Sequence, residues 1–133
     1  MPLDLEYSSD NPHYWIDSWQ GIELCLYGNS DGPQLERLPI AEKVIQSLES
    51  FDSIETRAEN DLNRWFNLDP LHDLNEWTLL TIYFGVDGEE PVNEIKLRFA
   101  LGIWDFSTAY YALYRVNEEH PEKSTLIGCA VEY

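Results

Sequence analysis

The stretch VNEIKLRFALGIW (92–104) alternates apolar and polar residues more regularly than any other part of the chain. Ile95, Leu97, Phe99, Leu101 and Ile103 fall on one side, while the charged residues Glu94, Lys96 and Arg98 fall on the other. A period of two is typical of a β-strand with one buried face and one wet face. The stretch therefore predicts a sheet whose second face stays partly exposed to water.

Similar strand patterns lie on both sides of this stretch. Upstream are HYWID (13–17), IELCLY (22–27) and WTLLTIYFGV (77–86), and downstream are AYYALYRV (109–116) and TLIGCAVE (125–132). The connections within the C-terminal half are short enough for hairpins, at 87–91, 105–108 and 117–124. This half therefore reads as an antiparallel meander.

A helical pattern separates the two groups of strands. Its apolar positions are three or four residues apart, which is helical spacing, and they are Ile40, Val44, Leu48, Phe51, Ile54, Ala58, Leu62 and Trp65. Pro39 suits the first turn of a helix, and no Gly or Pro interrupts the segment. The pattern predicts one long helix over 39–66. A break at Asp52 is the alternative, because Asp52 and Glu55 have the spacing of a capping box.

These elements predict a single α+β domain over residues 1–133, in the order β-β-α-β-β-β-β. A twisted, largely antiparallel sheet of five to six strands has one face covered by the long helix. Residues 1–12 are polar and are expected to be loosely ordered. The buried contacts are expected to join Leu48, Ile54 and Leu62 of the helix to Leu80, Ile82, Leu97 and Phe99 of the sheet.

The charge of the chain is strongly one-sided. There are 25 acidic residues against 8 Lys and Arg, which gives a formal net charge of −17, and neither 1–36 nor 67–93 contains a Lys or Arg. Such a charge opposes binding to nucleic acid and to anionic membranes, and it attracts cationic proteins. The alternative is that the acidity only keeps the protein in solution.

Two acidic turns of the meander are predicted to form a common surface. Successive turns alternate between the ends of a meander, so the turns at 86–93 and 117–124 lie at the same end. Their carboxylates supply the candidate partner-binding residues, which are Asp87, Glu89, Glu90, Glu94, Glu118, Glu119 and Glu122. Gathered like charges cost stability, and this cost favours an electrostatic role for them.

The remaining features bear on location and chemistry. The N-terminus has no apolar core segment, which argues against a signal peptide, and the apolar runs are too short to span a bilayer. Cys25 and Cys129 lie inside strand patterns and indicate buried free thiols in a reducing cytoplasm. The chain has no phosphate-binding loop, zinc motif or calcium loop, so we expect no cofactor, no metal and no catalytic residue.

These features favour a small cytoplasmic protein that neutralises a basic partner. Bacterial immunity proteins and antitoxins against nuclease toxins share this compact, acidic character, although the chain carries no family motif. Three alternatives remain: a DNA-mimicking inhibitor, a small-molecule binder or enzyme with a pocket between helix and sheet or on the aromatic open face, and a non-enzymatic binding or structural protein of another kind. An exposed edge strand would also allow two copies of the chain to pair as a homodimer.

Overall fold

The computed structural model describes residues 3–10, 13–49, 53–67, 76–102 and 105–133. Within these residues, eight strands belong to one mixed sheet. Their bounds are β1 Glu6–Tyr7, β2 Tyr14–Trp19, β3 Ile22–Asn29, β4 Gly32–Pro33, β5 Trp77–Phe84, β6 Glu94–Leu101, β7 Asp105–Arg115 and β8 Thr125–Glu132. Two helices, α1 Leu38–Leu48 and α2 Ile54–Trp65, connect β4 to β5 and make up a minority of the chain.

The predicted fold class, α+β with one long helix on a five- to six-stranded, largely antiparallel sheet, is wrong. The observed fold is mostly sheet, and the strand order is β1-β2-β3-β5-β6-β7-β8, with β4 paired to β3. The strands β3 and β5 are parallel neighbours, with Leu24 opposite Ile82. Parallel neighbours need a long crossover connection, and the two helices provide it. The helices therefore join the two halves of one sheet.

The single helix predicted over 39–66 is two helices. Ser53 caps the second, because its Oγ accepts a hydrogen bond from the backbone N–H of Thr56 at 3.3 Å. Residues 50–52 lie outside the described residues, so the predicted cap at Asp52 cannot be compared directly. The apolar spacing continues across the break because both helices bury a stripe against the same sheet, and spacing alone does not separate them.

The core lies between the helices and one face of the sheet. Five of the seven residues expected there are fully buried, and they are Ile54, Leu62, Ile82, Leu97 and Phe99. Leu48 is only partly buried but packs against the same cluster. Leu80 is also only partly buried, because the β5–β6 register shifts between Leu79 and Thr81. The irregularity interrupts the alternation of the strand, so Leu79 and Ile82 are the residues that face the core.

Both cysteines are free thiols. Cys25 is buried on β3, where its Sγ lies 3.4 Å from a carboxylate oxygen of Glu23. Cys129 is partly buried on β8, and burial raises its pKa to about 11. Burial likewise raises the pKa of Cys25. Both thiols therefore stay protonated near neutral pH, and a protonated thiol reacts slowly.

Neither helix of the described chain has the length and apolar character needed to cross a bilayer.

Candidate functional site

The turns at 86–93 and 117–124 lie at the same end of the sheet. Glu94 at the start of β6 is opposite Arg115 at the end of β7. Just beyond them, the backbone N–H of Val116 donates to the carbonyl oxygen of Asn93 at 2.7 Å. The two turns are separated by two strand spacings, or about 10 Å. This distance is close to the screening length of physiological salt, roughly 8 Å, so their charges act partly together.

Two further loops meet at the same end, which the sequence did not reveal. Because β3 is parallel to β5, the loop after β3 lies beside the loop after β5, and the Gln34 amide donates to the Gly88 carbonyl at 3.3 Å. The loop before β2 lies beside the end of β3, since the backbone N–H of Gly28 donates to the carbonyl oxygen of His13 at 2.9 Å. These loops add the exposed acids Asp10 and Asp31. Only the parallel register could have placed them here.

We use the name acidic end for the exposed carboxylates on these four loops. Its members are Asp10, Asp31, Asp87, Glu89, Glu118 and Glu119. Of the seven candidates predicted from the sequence, four therefore have exposed side chains at this end. The other three, Glu90, Glu94 and Glu122, are partly buried.

Glu90 points into its own loop. Its carboxylate accepts backbone hydrogen bonds from Val86 at 2.6 Å, Gly88 at 3.0 Å and Asp87 at 3.2 Å. It also lies 3.8 Å from the Arg37 guanidinium, and its side chain is only 15% exposed. The Glu90 carboxylate therefore stabilises the turn, and it is poorly placed to contact a partner.

Arg37 is the residue that orders this turn, and sequence reasoning missed it. It is 2% exposed and donates to the Gln34 side chain at 2.7 Å and to the carbonyls of Glu90 at 2.7 Å and Pro91 at 3.2 Å. A Cβ at Gly85 would lie 2.9 Å from its Nε, and Gly85 has a φ of +91°, so this position requires glycine. One feature of the sequence could have drawn attention to Arg37: it is the first Lys or Arg of the chain, after 36 residues without one.

Asp87 is fixed and ionised on the outside of the same turn. Its Oδ1 accepts the backbone N–H of Glu89 at 2.9 Å. This hydrogen bond is the main reason that the pKa of Asp87 lies below its ordinary value, and interactions with Glu90 and Arg37 act in the same direction. Asp87 therefore stays negatively charged throughout the neutral range.

The β7–β8 turn is also held by its own side chains. The side-chain Oδ1 of Asn117 accepts hydrogen bonds from the backbone N–H groups of Glu119 and His120, both at 3.1 Å. Ser124 donates to the Pro121 carbonyl at 2.6 Å. Both turns thus present their carboxylates from ordered backbone, which lowers the entropic cost of binding a partner.

Apolar side chains fill the space between helices and sheet, where a pocket was one of the predicted alternatives. Ile40, Val44, Ile54 and Leu62 are at most 1% exposed. Across the described chain, no group of three or more His, Cys, Asp or Glu residues is arranged to hold a metal ion. What the acidic end can do chemically is attract and pair with cationic groups.

Comparisons with protein-family models, with curated proteins and with solved structures found no match to this chain.

Proposed function

We propose that this protein binds and neutralises a basic protein partner in the cytoplasm through the acidic end. The observation that supports the proposal most is the convergence of exposed carboxylates from four loops at one end of the sheet. Such a field raises the encounter rate with a positively charged surface and helps to set the orientation of docking.

The particular form that we propose is an immunity- or antitoxin-type inhibitor of a bacterial nuclease toxin. Enzymes that act on nucleic acid need a cationic surface to hold phosphates, and an acidic protein can cover that surface. A DNA-mimicking inhibitor would use the same chemistry against a different nucleic-acid enzyme. The net charge of −17 opposes direct binding to nucleic acid by this chain itself.

The first experiment captures the partner from the native organism on the immobilised protein at low salt and elutes it with rising salt. A basic protein that elutes with increasing salt is the expected result. Association rates are then measured for the wild type and for the double charge reversal E89K/E118K, which changes one exposed carboxylate on each of the two main turns. Glu90 is not suitable for reversal, because its carboxylate holds the turn.

The matched control is E76K/E132K. Both residues are exposed, and both lie away from the acidic end. The Glu76 carbonyl oxygen accepts the backbone N–H of Gly102, which follows β6, and Glu132 at the end of β8 is opposite Ala109 in the first half of β7. The two variants change the net charge equally. We expect E89K/E118K to slow association by roughly tenfold or more at low salt, and to change dissociation less.

Equal slowing by the two variants would mean that only the net charge matters. No slowing by E89K/E118K at either low or physiological salt would also overturn the role of the acidic end.

A further inference from the structure

The face of the sheet away from the helices carries an unusual pair of cations. Lys96 and Arg98 are two residues apart on β6, so they point to the same side at a spacing of about 6.7 Å. Both alternate with the buried residues Leu97 and Phe99, which face the helices. The sequence predicted that this open face carries Lys96, Arg98 and several aromatic side chains, but it did not show which residues of the neighbouring strands lie beside Lys96.

Two adjoining cavities open on this face beside Lys96. One has a volume of about 220 Å³ and the other about 180 Å³, and both are lined by Tyr83, Val86 and Lys96. The larger continues along Leu113, and the smaller continues to Tyr14 and Tyr111. We use the name Lys96 trough for the space lined by these six residues. The register explains the gathering, since Lys96 is the cross-strand neighbour of both Tyr83 and Leu113.

Among the described residues, neither Lys96 nor Arg98 has a carboxylate oxygen within 4.0 Å. The Lys96 ammonium lies 4.1 Å from the centre of the Tyr111 ring. The Nε of Arg98 is buried and finds no acceptor in the described part of the chain. An unpaired buried donor is costly, and such donors are rare in folded proteins. The Arg98 side chain also hydrogen-bonds to Tyr111, so within the described ranges both cations are held by a phenol ring and not by a carboxylate. In a chain with 25 acids and 8 bases, such a pair of cations stands out.

Two acids line the larger cavity beside Lys96. The Glu90 carboxylate is already bound by three backbone N–H groups and lies near Arg37. Glu94 is two residues from Lys96 on the same face of β6, and no ion pair within 4.0 Å joins the two among the described residues. Lys96 is the cation that lines the trough, and a ligand carboxylate can reach it without displacing a protein carboxylate.

The walls suit an aromatic ligand with one acidic group. Val86, Leu113 and the Tyr83 ring supply apolar surface along the larger cavity. A cavity of roughly 150 Å³ accommodates benzene, so the larger cavity has room for a ring with a short side chain. Burial raises the pKa of Tyr83 and of Tyr111, so both phenols remain neutral and can donate a hydrogen bond to an anion.

We propose that the Lys96 trough binds a small aromatic monocarboxylate, with the ring against Tyr83 and Leu113 and the carboxylate on the Lys96 ammonium. The trough adjoins the acidic end, because Val86 belongs to the 86–93 turn, but its ligand does not depend on the proposed partner. It assigns a small-molecule ligand to a protein whose overall charge repels anions, and Lys96 is the group that offsets this repulsion locally.

The test titrates 3-phenylpropionate into ¹⁵N-labelled protein and follows the backbone amide signals. The neutral alcohol 3-phenylpropanol serves as the matched ligand. We expect saturable shifts at the amides of Tyr83, Lys96 and Leu113, with weak, millimolar-range affinity. Lys96→Met keeps the aliphatic stem and removes the charge, so it should weaken carboxylate binding roughly tenfold. It should leave the binding of the alcohol unchanged.

Lys123→Met is the control, because Lys123 is an exposed base on the β7–β8 turn and its loss changes the net charge equally. It should bind 3-phenylpropionate as the wild type does. Lys96→Arg retains the charge, and it should bind the carboxylate more tightly than Lys96→Met. If Lys96→Met does not fold, this arginine variant still tests the trough through the position of its shifts.

The proposal is overturned if wild-type amides do not shift up to about 20 mM ligand, which is well above the expected millimolar range. Shifts that fall outside the trough, or equal carboxylate binding by Lys96→Met, would also overturn it.

Discussion

At the scale of single residues, the most informative side chain is Arg37. Glu90 and Arg37 look from the sequence like ordinary surface charges, yet together they hold the 85–91 turn from inside. Arg37→Met keeps much of the volume, but it leaves the Glu90 carboxylate without its ion-pair partner and the backbone carbonyls of Glu90 and Pro91 without their donor. We expect it to lower the free energy of unfolding by about 3–5 kcal/mol, the usual cost of breaking a buried charge pair.

Urea unfolding measures this loss. Arg64→Met is the control, because Arg64 is 81% exposed and its contact with Asp61 is 3.8 Å long. We expect the control to cost less than about 1 kcal/mol. A loss for Arg37→Met as small as that of the control would show that the turn does not depend on Arg37.

The free energy of unfolding is expected to depend on pH because of Glu59, a half-buried carboxyl group on α2. Burial raises its pKa from 4.5 to about 7, and the charge of Glu55 one helical turn earlier adds to this rise. Between these two values the folded protein holds a proton that the unfolded chain has released. The free energy of unfolding therefore falls as the pH rises from 4.5 to about 7, and the whole penalty persists at higher pH.

Glu59→Gln removes this penalty. We expect it to stabilise the protein by about 1 kcal/mol near pH 8, less than the pKa shift alone implies, because solvent screens a half-buried group. The gain should shrink near pH 5, where wild-type Glu59 is mostly protonated. Thermal unfolding at both values measures it, with Glu49→Gln at the exposed end of α1 as control. A gain that does not depend on pH would contradict the assignment.

At the scale of elements, β6 is an interior strand of the sheet and has the clearest sequence pattern. Leu97 is fully buried beneath the helices and pairs with Ile82 on one side and Ala112 on the other. Leu97→Ala should therefore lower the free energy of unfolding by about 2–5 kcal/mol, through lost burial and the cavity that remains. Ile127→Ala on the edge strand β8 is the control, since Ile127 is 44% exposed. Similar losses in both variants, measured by urea unfolding, would refute the assigned buried face.

The helices show where element prediction reached its limit. Their existence and buried stripe follow from residue spacing, but the break between them depends on Ser53, whose hydroxyl caps α2. The Asp52–Glu55 spacing suggested a cap one residue earlier, because it fits the capping box, whereas Ser53 is followed at the third position by Thr56 and does not. A capping residue is selected by the geometry of the chain before it, which local sequence does not specify.

At the scale of the whole molecule, the parallel pairing of β3 and β5 organises both candidate sites. It brings the loops that carry Asp10 and Asp31 to the end that already holds the two acidic turns. It also places Tyr83 of β5 between Cys25 of β3 and Lys96 of β6, on the face that carries the Lys96 trough. The acidic end and the trough thus depend on one crossover between two strands whose paired residues, such as Leu24 and Ile82, are 58 positions apart.

What the sequence by itself determined was local. The alternation in 92–104, the short connections after it and the one-sided charge predicted the C-terminal meander and the shared end of two acidic turns. Each of these depends on neighbours in the chain, through side-chain alternation or hairpin length.

The tertiary structure alone decided the rest. Strand neighbours such as β3 and β5, the inward role of Glu90 and the burial of Arg37 depend on contacts between distant segments. A carboxylate in an acidic turn has the same local sequence whether it faces solvent or accepts three backbone hydrogen bonds. Only the approach of a buried cation from elsewhere in the chain, here Arg37 preceding α1, makes the inward position favourable.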